Sequence, residues 1–151
     1  MRKTFKTFLV LFSFIFPFIS CTKKDFSAPK SKSQLLTRSP WYFASYEQKT
    51  DNNPWIDNSV SLPTCGKDNF LMFQINNIFV VNEGLTKCSS SDTQTSSSPW
   101  RFAESNTKII ITLNTVEWSF TIEQLDERGL SYWTSYDNGG TIYYTRYTYH
   151  R

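Results

Sequence analysis

The sequence predicts an all-β domain over residues 38–151, folded as an eight-stranded antiparallel up-and-down barrel. Apolar and polar residues alternate along many short segments, which is typical of half-buried strands. Short turns rich in Asn, Asp and Gly join most of these segments. Strands that follow one another in this way remove their exposed edges by closing into a barrel. A β-sandwich is the alternative, although no long Greek-key connection demands it.

Eight strands are predicted along this domain. They cover residues 41–46, 70–75, 78–81, 100–103, 108–113, 117–125, 130–136 and 141–149. Asn76-Asn77 is predicted to form a hairpin turn, because Asn tolerates a positive φ. The two long connections are residues 47–67 and 84–98. A Ser/Thr-rich run in the second is predicted to be flexible, with a glycosylated or binding loop as the alternative.

Residues 1–20 have the marks of a secretory signal peptide: a basic start, an uncharged apolar core and a small residue before the cleavage site. The apolar core is shorter than the roughly 20 residues that a membrane-spanning helix needs, and Pro17 would end a helix there. A short anchor that stays attached to the chain is the alternative.

The segment Phe18-Ile19-Ser20-Cys21 resembles a lipobox, the motif read by the lipoprotein signal peptidase. The resemblance implies a diacylglycerol on Cys21 that anchors the chain to a membrane. The following Thr22-Lys23-Lys24-Asp25 loosely resembles signals that send some lipoproteins to the outer face of the outer membrane. We therefore expect a lipid-anchored protein of the bacterial cell envelope, in the outer membrane. Ordinary secretion with a free Cys21 thiol is the alternative.

Residues 21–37 are predicted to be the lipidated Cys and a flexible tether, because they are rich in Lys, Ser and Thr. Three of the 16 basic residues lie in the signal, so the mature chain carries 13 basic and 13 acidic residues. This balance excludes nucleic acid as an expected partner. The basic tether is either a contact for anionic lipid head groups or a solvated linker. We expect the domain to be a monomer.

The chain has three cysteines, Cys21, Cys65 and Cys88. A lipid on Cys21 leaves the other two as an even pair in an oxidising compartment, where a disulfide persists. A metal site is the alternative, but it lacks further ligands because His150 is the only histidine. Neither a cofactor nor a metal is expected.

A series of motifs carries a family resemblance over about residues 35–151. In chain order the motifs are Leu36 ahead of Trp41, Cys65-Gly66-Lys67-Asp68-Asn69-Phe70-Leu71-Met72-Phe73, Gly84, Cys88, Trp100-Arg101-Phe102 and an aromatic strand from Tyr143 to Tyr149. This order resembles the lipocalin-like domain family of small bacterial lipoproteins. The resemblance implies a calycin-like barrel and a Cys65–Cys88 disulfide. It implies ligand binding only by analogy of shape, and it carries no reaction.

The residues with catalytic chemistry are better explained by structural roles. His150 lies in the terminal dipeptide, and Glu123, Asp126 and Glu127 fall at a strand end and a turn. Asp68, beside a strand start, is expected to accept backbone N–H groups. A nucleophile, a base and an orienting group are not found together. We therefore predict that the protein is not an enzyme.

The mature chain is rich in aromatic residues, with five Trp, eight Tyr and seven Phe. An eight-stranded barrel has room either for its own side chains or for one small ligand. We predict binding of a small apolar or amphipathic ligand at the barrel mouth, through Trp41, Phe43, Trp55, Trp118 and Phe120. Trp55 is expected to be exposed in a loop. The alternative is a solid-core envelope protein that binds a protein or glycan partner, with Tyr144 and Arg146 on its outer face.

Overall fold

The computed structural model describes residues 28–151. The predicted signal peptide, the predicted lipid site Cys21 and residues 22–27 of the predicted tether lie outside the described residues. Within the described part of the chain, no helix is both long enough and apolar enough to cross a membrane.

The described chain is an all-β barrel, which confirms the predicted fold class. Its strands are β1 (Trp41–Thr50), β2 (Ile56–Asp57), β3 (Phe70–Phe73), β4 (Ile78–Asn82), β5 (Thr95–Ala103), β6 (Lys108–Leu113), β7 (Val116–Leu125), β8 (Gly129–Asn138) and β9 (Thr141–His150). All pairings are antiparallel, and β1 pairs with β9, so that eight strands close into a barrel. The short β2 is an extra strand on the other edge of β1.

Hairpin turns set the register between successive strands. Gly139 and Gly140 join β8 to β9 with φ values of 65° and 89°, the positive angles that a tight two-residue hairpin needs at both positions. The Gly140 N–H donates to Asp137 Oδ1 at 2.8 Å. Between β3 and β4, Asn77 has a φ of 64°, as its predicted turn chemistry requires.

Strand β5 begins earlier than the sequence indicates. Residues 95–98 pair with β4, including Ser98 opposite Phe79 and Ser96 opposite Val81. The predicted connection 84–98 is therefore four residues too long, and the end of its Ser/Thr-rich run, which was predicted to be flexible, belongs to a strand. Residues 95–98 have no apolar pattern of their own, but pairing with β4 satisfies the hydrogen-bonding groups of their backbone.

The N-terminal side of the domain also differs from the prediction of a tether up to residue 37. A short helix, α1, spans Lys32–Thr37, and Ser31 and Gln34 form a capping box at its start. Leu36 is fully buried, and its carbonyl oxygen accepts a hydrogen bond from Trp41 Nε1 at 2.9 Å. Burial of Leu36 holds α1 on the barrel, so the folded domain begins near residue 31.

The core fills the end of the barrel at which β1 begins. Its buried members are Leu36, Trp41, Leu71, Phe73, Phe79, Trp100, Ile109, Ile111, Leu130, Tyr132 and Tyr149. Each large apolar side chain buried in this way stabilises the fold by roughly 1.5–3 kcal/mol. This half of the interior is therefore packed with side chains.

Two tyrosines in this core give the fold a pH dependence. Tyr132 Oη donates to Tyr149 Oη at 3.2 Å, and burial raises the pKa of both phenols above the ordinary value of 10.0. Above pH 10 the unfolded chain loses these protons while the folded barrel keeps them. The free energy of unfolding should therefore be unaffected by these groups below pH 10 and fall above it, by about 1.4 kcal/mol per pH unit for each tyrosine.

Urea unfolding at pH 9, 10 and 11 measures this fall. Tyr132→Phe should reduce the slope above pH 10 by about 1.4 kcal/mol per unit. Equal slopes in the wild type and Tyr132→Phe would contradict the argument.

Candidate functional site

A disulfide joins two connections beside the barrel. Cys65 Sγ and Cys88 Sγ are 2.01 Å apart, which confirms the predicted pairing. Cys65 lies in α2 (Thr64–Lys67), a single helical turn before β3, and Cys88 lies in the connection between β4 and β5. The bond therefore holds α2 against that connection.

Asp68 also links α2 to the β4–β5 connection, and we call the contact between these two segments the junction. Its Oδ2 accepts hydrogen bonds from the Leu85 N–H at 3.1 Å, the Thr86 N–H at 2.9 Å and the Thr86 hydroxyl at 2.8 Å. The Thr86 hydroxyl and these N–H groups hold the pKa of Asp68 below its ordinary value. The carboxylate therefore has the structural role that the sequence predicts for it.

The junction covers a small interior pocket. The pocket has a volume of about 210 Å³. It is lined by Phe43, Leu71 and Tyr149 of the barrel and by Leu62 and Asn69, which lie on either side of α2. Small-molecule sites in proteins usually occupy about 300–1,000 Å³. The interior pocket is too small for that class of ligand.

The barrel's inner face continues beyond its core toward the end at which β9 begins. Along β9, Tyr143 lies on the same face as the core residues Tyr147 and Tyr149, because side chains alternate along a strand. The register places Thr50 of β1 and Tyr136 of β8 directly opposite Tyr143. These three side chains therefore stand at the mouth of the barrel.

A groove of about 610 Å³ lies at this end of the barrel. Its volume falls within the range of small-molecule sites. The groove is bounded by the ends of β1 and β8, the start of β9 and the segment that carries β2. Its lining consists of Gln48, Thr50, Tyr136 and Tyr143 from the inner face, Lys49 and Tyr144 from the outer face, and Asn53, Pro54, Ile56 and Asn58 from the segment around β2. We call it the mouth groove.

Two tyrosines form an aromatic platform in the mouth groove. The rings of Tyr136 and Tyr143 are stacked, with centroids 5.0 Å apart and planes 9° from parallel. Tyr136 is 60% exposed, so most of its surface is open to solvent. Each ring restricts the orientation of the other, and the exposed ring is therefore preorganised for contact.

Amide groups provide the polar part of the mouth groove. Asn58 Nδ2 donates to Gln48 Oε1 at 3.0 Å, and Asn53 Nδ2 donates to Thr50 Oγ1 at 3.0 Å. Each amide thus uses one of its two polar ends. Among the described residues, the Gln48 NH₂ group and the Asn53 and Asn58 side-chain oxygens have no hydrogen-bond partner and can bind a ligand.

A crystal structure of a lipocalin-like protein from Bacteroides uniformis ATCC 8492 is similar to this chain at a TM-score of 0.43 and 14% sequence identity. The similarity covers 74% of this chain and 97% of that chain. No family model and no curated protein matches the sequence.

The five residues predicted to bind ligand do not form one site. Trp41 is fully buried, with the guanidinium of Arg151 4.3 Å from the centroid of its ring, so it belongs to the core and not to a ligand contact. Phe43 lines the small interior pocket, and Phe120 packs against Tyr132 with centroids 5.1 Å apart. None of these three reaches the mouth groove.

Among the five residues predicted to bind ligand, Trp118 lies on the inner face and is accessible to solvent. It pairs with the core residue Ile111 and therefore shares its face, yet 49% of its surface is exposed. It is not among the residues that line the mouth groove.

Trp55 lies on the outer face and is half-buried, although the sequence indicates exposure. The Arg146 guanidinium is 4.4 Å from the centroid of its ring, and the Lys49 ammonium is 5.1 Å away. Arg146 also donates two hydrogen bonds of 2.8 Å to Glu47, which raise the pKa of the guanidinium, and it contacts Glu123 at 3.2 Å. Tyr144 packs edge-on against Trp55. The outer set of Tyr144 and Arg146 is therefore occupied by side chains of this chain.

Apart from Tyr144, none of the residues that line the mouth groove was predicted from the sequence to bind a ligand, although a signal for two of them is present. Tyr136 and Tyr143 are placed symmetrically about Gly139-Gly140, so a two-residue hairpin turn makes them cross-strand neighbours. The contact between Gln48 and Asn58 has no such signal, because it depends on how the segment after β1 folds back.

A shallower depression of about 640 Å³ lies outside the barrel, between residues 37–40 and the β3–β4 turn, and its rim holds Ile75, which is 86% exposed. Within residues 28–151, no three His, Cys, Asp or Glu side chains are grouped so as to hold a metal ion.

Proposed function

We propose that the protein is a non-enzymatic binding protein of the bacterial cell envelope, anchored through a lipid on Cys21, and that it binds a small amphipathic ligand in the mouth groove. The observation that carries the binding proposal is the groove itself. It combines a volume of about 610 Å³ with an exposed tyrosine platform and partly unpaired amides.

The distribution of space in the barrel supports the mouth as the binding position. The core occupies the end at which β1 begins, and the interior pocket of about 210 Å³ is too small. A ligand therefore binds above a packed floor rather than in a central cavity. Partial solvent contact in this position suits a molecule with both apolar and polar parts better than a wholly apolar one.

The chemistry of the lining supports binding rather than catalysis. Tyr136 and Tyr143 offer ring faces, and Gln48 and Asn58 offer hydrogen bonds. The lining has one charged residue, Lys49, whose ammonium lies 4.7 Å from the centroid of the Tyr144 ring. These groups position a ligand, whereas nucleophilic catalysis requires a nucleophile with an adjacent base.

Ligand-observed saturation-transfer NMR tests the binding proposal. The exported full-length protein is reconstituted in phosphatidylcholine nanodiscs, with indole and hexanoate as water-soluble amphipathic probes and empty nanodiscs as the blank. We expect at least one probe to receive saturation from the protein. Tyr136→Ala should weaken that binding about tenfold, because removal of an aromatic contact in a site commonly costs more than 1 kcal/mol.

Tyr42→Ala is the matched control for this experiment. It makes the same chemical change at another exposed tyrosine, which packs against Phe70 and His150 on the outer face. Probe binding should be unchanged in this variant. Absence of binding for both probes, or equal losses in Tyr136→Ala and Tyr42→Ala, would refute the proposed site.

Metabolic labelling tests the anchor separately. Labelled fatty acid should enter the wild-type protein and be absent from Cys21→Ala, because the thiol of Cys21 is the proposed attachment point. Membrane fractionation should show the same difference. Equal labelling of the two proteins would exclude the lipid on Cys21 and leave the binding proposal unaffected.

The packed core also favours a second candidate, a partner-binding envelope protein that holds no small molecule. Such a protein needs an accessible recognition surface. The Trp55 cluster on the outer face is already paired with Arg146 and Lys49, and the most exposed apolar side chains, Val60, Ile75 and Leu85, lie on separate connections. The mouth groove is therefore the better supported site.

A further inference from the structure

We infer that the mouth groove is built for a short uncharged oligosaccharide, which stacks one sugar ring on Tyr136 and hydrogen-bonds to Gln48 and Asn58. This inference rests on the proposed function of the same groove and specifies the class of its ligand.

The tyrosine platform fits the apolar face of a sugar. A pyranose ring carries C–H groups on its flat faces and hydroxyl groups around its edge. The C–H groups are weakly positive and the face of an aromatic ring is weakly negative, so the two surfaces attract each other when stacked. Tyr136 is held by stacking on Tyr143 and is 60% exposed, so it can present a ring to such a face.

The amides fit the edge of the same sugar. A sugar hydroxyl both donates and accepts hydrogen bonds, and neighbouring hydroxyls therefore match a donor and an acceptor that lie side by side. The hydrogen bond between Asn58 Nδ2 and Gln48 Oε1 brings the two side chains together at 3.0 Å. It leaves the Gln48 NH₂ as a donor and the Asn58 oxygen as an acceptor, so their mutual contact fixes a complementary pair.

The charge of the lining separates this ligand class from the other small molecules of the envelope. Phosphate groups are usually bound by several cations or by Arg, and the lining provides only Lys49. A cationic ligand requires carboxylates, and none of the lining residues is Asp or Glu. A long acyl chain requires an apolar tunnel, whereas the core below the groove is packed. The rest of the lining consists of tyrosine rings, neutral amides, the Thr50 hydroxyl and the apolar Pro54 and Ile56, and this combination of stacking surfaces and uncharged polar groups suits an uncharged glycan.

Saturation-transfer NMR on the nanodisc-reconstituted full chain tests the inference with maltotriose, cellotriose, chitotriose and mannotriose. Phosphatidylcholine nanodiscs are used so that no sugar-based detergent competes. We expect at least one trisaccharide to bind, with saturation strongest on ring hydrogens. Tyr136→Ala should weaken binding about tenfold. Tyr42→Ala, which lies outside the groove, should bind as the wild type does.

Gln48→Met provides an independent variant, because it keeps the length of the side chain and removes both polar ends of the amide. It should weaken sugar binding severalfold and have a smaller effect on indole. Sugar binding that is insensitive to both Tyr136→Ala and Gln48→Met would overturn the inference. If no trisaccharide binds while indole or hexanoate still binds in a Tyr136-dependent manner, the oligosaccharide inference fails and the proposed function stands. If none of the probes binds, both fail.

Discussion

Gly84→Ala is expected to destabilise the barrel by about 3–5 kcal/mol, through the sum of backbone strain and a steric clash. Gly84 has a φ of 65°, a conformation that costs a residue with a Cβ atom energy in its own right. A Cβ at this position would lie 2.2 Å from the Asp68 carbonyl oxygen and 2.7 Å from its carbon. Both atoms belong to the backbone, so the clash cannot be relieved by rotation of a side chain. Relief requires movement of the junction that Asp68 makes with Leu85 and Thr86.

Urea unfolding followed by circular dichroism measures this effect, and Gly66→Ala is the matched control. Gly66 lies in α2 and has no positive φ, and a Cβ there would be no closer than 3.8 Å to Pro63 Cγ. The control should unfold within about 0.5 kcal/mol of the wild type. A loss of 3–5 kcal/mol is a large part of the 5–15 kcal/mol that holds a typical domain folded. Gly84→Ala with wild-type stability would show that the close approach to Asp68 is not needed.

Replacement of both Cys65 and Cys88 by Ser is expected to cost roughly 3 kcal/mol in the free energy of unfolding. The bond closes a loop with a sequence separation of 23, and removing the crosslink raises the entropy of the unfolded chain. In the folded state the junction between α2 and the β4–β5 connection would then depend on the hydrogen bonds of Asp68 to Leu85 and Thr86 and of the Asn69 amide to the Glu83 carbonyl. The cover over the interior pocket should therefore open before the rest of the barrel.

Urea unfolding with and without reductant measures the disulfide prediction, and hydrogen exchange locates its effect. Reduction of the wild type should lower its stability to that of the double Ser variant, and the variant should not respond to reductant. Amide protection should fall first in residues 62–69 and 83–88. Equal stability of the oxidised and reduced wild type would contradict the prediction.

The strands that pack against the core were predictable because their alternation reflects burial on one face. Residues 108–113 and 117–125 coincide with β6 and, within one residue, with β7. The N-terminal half of β5 was not predictable in this way, because Ser96 and Ser98 become strand residues only through pairing with β4. Helix α1 is six residues long and buries one side chain, Leu36, which is too little to produce a helical period. Both elements depend on tertiary contacts that no local pattern records.

In the mouth groove, too, one part was predictable from local sequence and the other depends on tertiary contacts. The platform of Tyr136 and Tyr143 follows from hairpin register, which turn residues determine locally. The contact between Gln48 and Asn58 joins residues on either side of a chain reversal and depends on the conformation of the whole segment. Aromatic side chains on the predicted inner face directed the sequence prediction to Trp41, which the fold uses in its core.

The folded helix α1 limits how far the barrel can stand from its proposed anchor. Nine residues separate Cys21 from the cap residue Ser31, and the ten steps between their Cα atoms reach at most about 33–36 Å when the chain is fully extended. Strand β1 then runs about 30 Å from Trp41, beside α1, to Thr50, at the groove. With Cys21 in the bilayer, the α1 end of the barrel stays close to the head groups. The mouth groove opens at the opposite end of the barrel from α1, about 30 Å from the point at which the folded domain meets the segment that leads to the proposed anchor.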